Sequence, residues 1–236
     1  MRKIELSPRL LSLAKQVPQD SCFADIGTDH GRLPVWLLEH QIIQRAIATD
    51  LREGPLSQAE LTASRHQVKN RIAFRMGDGL RPISNGECDV IAIAGMGGET
   101  ITEILAGVSW ASDGGSRFLL QPMTSAPDLR RWLWRSGFVI EREELVREEK
   151  LYVTLTVVGG QMPPLTPAEE WAGRQERGRL APLRGEYLSL MIGRAEKILA
   201  GLRQSENLGQ REKLAAWANL VEGLLELKRE WESWQP

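Results

Sequence analysis

Between Cys22 and Val158 the chain alternates short apolar runs with amphipathic stretches, and this alternation limits the possible folds more than any other feature. Cys22–Ile26, Ala46–Asp50, Ile72–Met76, Asp89–Ala94 and Phe118–Gln121 have the length and composition of strands, each closed by a glycine, an acid or a proline. Helical spacing fills the gaps: through Trp36, Leu37 and Leu38, from Pro55 to His66, through Ile101, Ile104 and Leu105, and from Pro127 to Arg135. A further amphipathic helix, Leu6 to Val17, precedes the first run and stops at Pro18. Asp89–Ala94 is the most apolar run and is predicted at the centre of the sheet. Phe138–Ile140 and Tyr152–Val158 follow each other with no helix between them, which predicts an antiparallel pair at one edge. The pattern is that of a doubly wound α/β sheet.

Gly159-Gly160 and the run Met162-Pro163-Pro164-Leu165-Thr166-Pro167 interrupt it, setting a boundary between residues 1–160 and 161–236. Beyond the boundary no strand is legible. Tyr187, Met191, Ala195, Ile198 and Leu202 line one helix face. After a polar break at Ser205-Glu206-Asn207, the residues Leu214, Trp217, Val221, Leu224, Lys228 and Trp231 form a heptad seam. Two antiparallel helices in a coiled-coil-like appendage are expected.

Composition narrows the function classes. With 42% hydrophobic and 26% charged residues among 236, the chain is neither disordered nor a disulfide-stapled miniprotein. Thirty basic against 31 acidic residues exclude a wholesale polycation, so an anionic partner must be gripped by a patch. Cys22 and Cys88, 66 residues apart, form no metal-binding cluster, and with three histidines no metal is expected; buried, reduced thiols are. Neither a signal peptide nor a membrane-length apolar stretch is present, and a cytoplasmic chain is the expectation.

In such a sheet, ligands bind beyond the carboxyl ends of the strands. The first of these loops reads Asp25-Ile26-Gly27-Thr28-Asp29-His30-Gly31. Its two carboxylates would repel a pyrophosphate, which disfavours a nicotinamide dinucleotide. A ligand with positive centres and no phosphate fits, and S-adenosylmethionine, with its sulfonium and ammonium, is such a ligand. Asp50, 23 residues after Gly27, is placed to accept from a ribose diol. Asp78, between Gly77 and Gly79, is placed to accept from an adenine amino group.

These residues also carry a resemblance. Asp25–Gly31 with Leu33-Pro34, Ala48-Thr49-Asp50 with Gly54-Pro55-Leu56, Gly77-Asp78-Gly79-Leu80, Ile93-Ala94-Gly95-Met96-Gly97-Gly98 and Leu120-Gln121-Pro122 occur in order. Over about residues 3–158 the chain closely resembles the bacterial tRNA (adenine-22-N1)-methyltransferases, the Ala-Gly-Met-Gly-Gly element being the most specific part. The resemblance implies a Rossmann-like class I methyltransferase sheet in the order 3-2-1-4-5-7-6, S-adenosylmethionine as donor and tRNA as acceptor. The expected cofactor residues are Asp25, Gly27, Thr28, Asp29, Asp50, Leu51, Gly77, Asp78, Gly79, Ala94, Gly95 and Met96. The expected target-base loop is Gly95, Met96, Gly97 and Gly98 with Gln121.

Amino-directed adenine methyltransferases carry an acidic or amide Pro-Pro-aromatic motif after the fourth strand. Here three glycines in four residues stand in its place, open to a flat base but with nothing to activate an amine. Ring N1 has an in-plane lone pair and needs only proximity and alignment. No general base is required; Asp29 and His30 are the nearest titratable candidates. His40 and His66 are expected at solvent-exposed helix ends. Two basic clusters could meet RNA phosphates: Arg65, Lys69, Arg71 and Arg75, and Arg130, Arg131 and Arg135 with Trp132 and Trp134 interleaved. The rival readings are a small-molecule methyltransferase and a non-catalytic cofactor-binding module whose tail recruits a partner. A monomer is favoured, although nothing in the residues fixes the oligomeric state.

Overall fold

Strands β1 (Phe23–Ile26), β2 (Ala46–Asp50) and β4 (Val90–Met96) are apolar on both faces because both faces are covered. The computed structural model describes residues 4–176, 182–204 and 211–235, and the chain divides into two compact units, Met1–Met162 and Pro163–Pro236.

The first unit holds a seven-stranded sheet, completed by β3 (Ile72–Met76), β5 (Arg117–Pro122), β6 (Phe138–Arg147) and β7 (Leu151–Gly159), in the order β3-β2-β1-β4-β5-β7-β6. The first five strands run parallel, and β7 is antiparallel to both β5 and β6. Alternate residues point to opposite faces, so each strand feeds two cores. Ala24, Ile47, Ile91, Ile93 and Phe118 pack with α4 (Gly98–Ala106) and α5 (Ala126–Arg135) through Ile101, Leu105, Leu129 and Leu133. Phe23, Ala46, Val90, Ala92 and Leu119 pack with α1 (Pro8–Ala14), α2 (Arg32–Glu39) and α3 (Glu53–Arg65) through Leu13, Leu33, Leu37 and Ala63.

The strand expected over Phe138–Ile140 runs on to Arg147. Its continuation, Glu141-Arg142-Glu143-Glu144, reads as loop because an edge strand may carry charge on its open side. The ladder resumes at Arg142↔Thr156 after an irregularity beyond Ile140. One of those charges is internal: Glu143 takes the fully buried Arg130 of α5 in a two-pronged ion pair, Nη2 to Oε2 at 2.7 Å.

The second unit contains α6 (Pro167–Ala172), α7 (Arg184–Gln204) and α8 (Arg211–Ser233). Gly185, at the start of α7, abuts the Trp231 ring near the end of α8, so those two helices are antiparallel. Trp171 of α6 meets Trp217 of α8 edge to face at 5.3 Å. On α7 the buried stripe drifts: Leu199 is buried and Ile198 is 40% exposed. The polar break at 205–207 lies outside the described residues.

Candidate active site

The carboxyl ends of β1, β2, β3 and β4 open into one cavity of about 800 Å³ within the first unit. The turn leaving β1 is sharply wound: Gly27, Asp29 and Gly31 take φ of 69°, 50° and 66°. Asp29, the non-glycine of the three, bears about 1–2 kcal/mol of left-handed strain. Gly31 lies so near α3 that a Cβ would sit 3.0 Å from that of Ala59. The amides of Gly27 and Thr28 both donate to Thr49 O at 2.9 Å, tying this turn to the end of β2. Gly77 N donates to Asp50 O at 3.0 Å and ties the next loop in the same way.

Acids converge on this space. Asp25 is 7% exposed, and Thr28 Oγ1 donates to its Oδ2 at 2.7 Å. Burial, opposed by that hydrogen bond and reinforced by the charges of Asp50 and Asp29, pushes its carboxyl from 3.8 up to about 7. Asp50 is also buried, and its Oδ1 accepts from Arg52 N at 2.9 Å. Asp78 stands on the far side, 3.6 Å from Arg81. Thr49 Oγ1 is buried without a hydrogen-bond partner among the described residues.

Asp25, Gly27, Thr28, Asp29, Asp50, Leu51, Gly77, Asp78, Gly79, Ala94, Gly95 and Met96 all line the cavity, as does His30. Asp29 and His30 are at its solvent margin, His30 Nε2 lying 3.6 Å from Asp29 Oδ2 with both side chains more than half exposed.

The expected target-base loop divides. Gly95 is exposed, with φ 78°, where the β4–β5 register shifts between Ala94 and Met96. The Met96 side chain folds over Gly27, whose missing Cβ makes room for it. Gly97, Gly98 and Gln121 do not line the cavity. Gly98 N donates to Thr124 O at 2.9 Å, and a Cβ there would lie 2.5 Å from Ser125 O, so close packing of α4 on the β5–α5 turn explains this glycine. Gly97 is the extended N-cap of α4. Gln121 is fully buried and its amide is committed internally: Oε1 accepts from Arg9 Nη1 at 3.0 Å, and Nε2 donates to Arg9 O and Thr154 Oγ1 at 3.2 and 2.9 Å.

Both basic clusters that were candidates to meet RNA are largely engaged elsewhere. Arg75 pairs with Glu87 and Lys69 with Glu60, while Arg71 donates to the carbonyls of Ile43 and Gln44. Arg130 is buried on Glu143, Arg131 pairs with Asp128, and Arg135 lies over Trp134. Trp132 packs into the core beside Phe138. His66 is not exposed as expected; its ring sits 2.8 Å from Glu39 Oε1, and His40 stacks on Trp36. Cys88 is buried, but Cys22 is only partly so, their sulfurs 3.4 Å apart and both thiols free.

The arginines that do line the cavity are Arg9, Arg32, Arg52 and Arg81. Sequence reasoning missed them. Arg52 and Arg81 lie two and three residues past Asp50 and Asp78, a signal within reach. Arg9 lies on the first helix and comes to the site only through tertiary packing.

A family model described as a methyltransferase domain matches residues 6–155. Over 161 residues the chain is 35% identical to a tRNA (adenine(22)-N(1))-methyltransferase of Bacillus subtilis (strain 168), covering 68% of each chain. The crystal structure of the B. subtilis m1A22 tRNA methyltransferase superposes with a TM-score of 0.84 at 28% identity, covering 95% of this chain and 99% of that one. A Streptococcus pneumoniae structure in complex with S-adenosyl-L-methionine superposes with a TM-score of 0.76 at 30% identity, covering 95% and 100%.

Proposed function

The chain belongs to the bacterial tRNA (adenine(22)-N(1))-methyltransferase family, and on that premise we propose how its strand-end cavity serves the reaction. The activity is methylation of adenine N1 in tRNA with S-adenosylmethionine as donor; within tRNA, adenine 22 is the proposed target. The cavity chemistry fits this donor: the carboxylates of Asp25, Asp29, Asp50 and Asp78 and the glycine turns at Gly27 and Gly77–Gly79 surround the space where its positive centres and its nucleoside would lie. When bound, S-adenosylmethionine supplies an electrophilic methyl group on sulfur.

The residues divide the work by position along the sheet. Asp50, beside Leu51, accepts from the ribose hydroxyls. Asp78, between Gly77 and Gly79, accepts from the adenine amino group. Asp25 and Asp29 face the ammonium, with Gly27 and Thr28 shaping the turn around it. Ala94, Gly95 and Met96 border the end where the methyl group leaves, and exposed Gly95 gives a flat target base room to approach. Adenine N1 attacks with its own lone pair, so alignment rather than proton removal sets the rate. The product base is cationic. Asp29, at the solvent margin with His30, is placed to stabilise that developing charge. Arg32, Arg52 and Arg81 at the cavity edge take phosphates of the RNA, and the enzyme works as a monomer.

The observation that carries this reading is the convergence of Asp25, Asp50 and Asp78 on one cavity beside Gly95. Incubation with methyl-labelled S-adenosylmethionine and total bacterial tRNA tests it. Label in RNA is expected. Label only in small-molecule acceptors, or in none, contradicts it.

A further inference from the structure

The guanidinium of Arg9 stands at the carboxyl ends of β4 and β5, fixed in place yet without a counter-ion among the described residues. Its Nη1 donates to Gln121 Oε1 at 3.0 Å and lies 3.9 Å from where a Gly95 Cβ would be. Its Cζ is 5.8 Å from the centroid of the Tyr152 ring, a cation–π distance. The backbone is pinned too: Arg9 N donates to Glu148 Oε2 at 2.9 Å, and Arg9 O accepts from Gln121 Nε2 at 3.2 Å. Gln121 is itself immobilised by full burial and its bond to Thr154.

Each of these contacts orients the guanidinium, and none neutralises it. Among the described residues no carboxylate pairs with it, and Lys150, 5.2 Å above the same Tyr152 ring, adds a second positive charge. Arg81, the cavity arginine that does have a carboxylate nearby, is mostly exposed, whereas Arg9 is half-buried. A half-buried, pre-aimed guanidinium facing a ligand cavity has spare donors in the fork geometry that matches a carboxylate or a phosphate.

We infer that Arg9 binds an oxyanion at the β4–β5 end of the cavity, with Gln121 as the positioning residue that aims it. The inference rests on the donor and acceptor proposed above, which offer two such groups. One is the carboxylate of the donor's methionine half. With the ribose at Asp50 on β2, the end of β4 lies two strand spacings away, about 10 Å. That is within the span of the methionine arm. The other is a phosphate flanking the target nucleotide, delivered as the base approaches Gly95.

The test uses the full-length chain with Arg9→Gln, Arg9→Lys and Gln121→Leu, each checked for folding by circular dichroism. Calorimetry gives affinities for S-adenosylmethionine and for its decarboxylated form, which keeps sulfonium and amine and lacks only the oxyanion. Methyl transfer at saturating donor gives KM and kcat for tRNA. Loss of a charge-assisted contact corresponds to about tenfold or more.

If Arg9 holds the donor, Arg9→Gln weakens S-adenosylmethionine by that factor and leaves the decarboxylated form unchanged. If it holds RNA, donor affinity stays, KM for tRNA rises with kcat preserved, and the salt dependence of binding drops by about one phosphate. In either case Arg9→Lys recovers part of the loss, and Gln121→Leu moves the same quantity less far. Should Arg9→Gln not fold, Arg9→Lys carries the same readouts. Equal weakening of both donors, or no change in donor affinity and in KM, overturns the inference. A wild-type chain that binds neither donor overturns the proposed function instead.

Discussion

The hydroxyl of Thr28 donates to Oδ2 of Asp25 at 2.7 Å, the one interaction that lowers an otherwise raised carboxyl. Burial and the neighbouring charges of Asp50 and Asp29 win, so Asp25 titrates at about 7 instead of 3.8. A cationic ligand reverses that balance, because it stabilises the carboxylate that burial disfavours.

Donor affinity should therefore depend on pH. Above about 7 Asp25 is ionised before binding; below it, binding must first release a proton. Calorimetry should show S-adenosylmethionine weakening as pH falls through 7, and Asp25→Asn should be weaker at pH 8 with a flatter profile. An unchanged bend in the variant would assign the titration to another group.

The same shift has a stability consequence of definite sign. From pH 3.8 to about 7 the folded chain holds a proton that the unfolded chain has released, so this carboxyl's contribution to stability falls as pH rises through that window. Asp25→Asn, which can still accept from Thr28, should be more stable than wild type at pH 8, by up to about 4 kcal/mol. The difference should vanish near pH 4. Thermal unfolding at the two pH values checks this.

Much of the account was legible in the sequence because the parallel strands are buried on both faces and their ends carry acids and glycines that line one cavity. Ala46–Asp50 and Ile72–Met76 were read with the bounds observed. What stayed hidden was non-local. The charged stretch Glu141–Glu144 of β6 has no apolar signal, since its side chains serve ion pairs: Glu141 with Arg117, Arg142 with Glu144 and Glu143 with the buried Arg130. Gly97 and Gly98 resemble a binding loop in sequence, but Gly98 answers to the carbonyl of Ser125 on another loop. Arg9 carries no local signature at all, because its meaning comes from Gln121, 112 residues away. Helix α6 did have one: Thr166 and Glu169 form a capping box that its spacing announces.

Asp50→Ala should leave the fold intact and weaken S-adenosylmethionine by about 1.5–3 kcal/mol, the worth of hydrogen bonds to a charged acceptor. Calorimetry on a folded variant with unchanged affinity would remove Asp50 from the site.

Gly95 and Gly98 should separate activity from stability. Gly98→Ala drives a Cβ to 2.5 Å from the Ser125 carbonyl and should lower stability by about 1–3 kcal/mol in thermal unfolding. Gly95→Ala meets only Arg9 Nη1, at 3.9 Å. With φ at 78° it bears about 1–2 kcal/mol of strain, and it narrows the approach of the target base, so kcat should fall more than donor affinity. Equal loss of donor affinity and kcat in Gly95→Ala would place that glycine on the donor's side alone.

A chain ending at Met162 keeps both cores of the first unit and should bind S-adenosylmethionine with wild-type affinity while its KM for tRNA rises. A soluble truncated chain with unchanged KM would exclude the helical unit from RNA recognition.

The most direct measurement of the central claim is the identity of the methylated nucleoside. The tRNA modified by this chain is digested at mildly acidic pH, where 1-methyladenosine does not rearrange, and resolved by mass spectrometry against standards. On the proposal that a flat base approaches exposed Gly95, and with no acidic or amide side chain in Gly95–Gly98 to activate an amine, 1-methyladenosine is expected. N6-methyladenosine as the primary product, or a methylated guanosine or cytidine, would contradict the account.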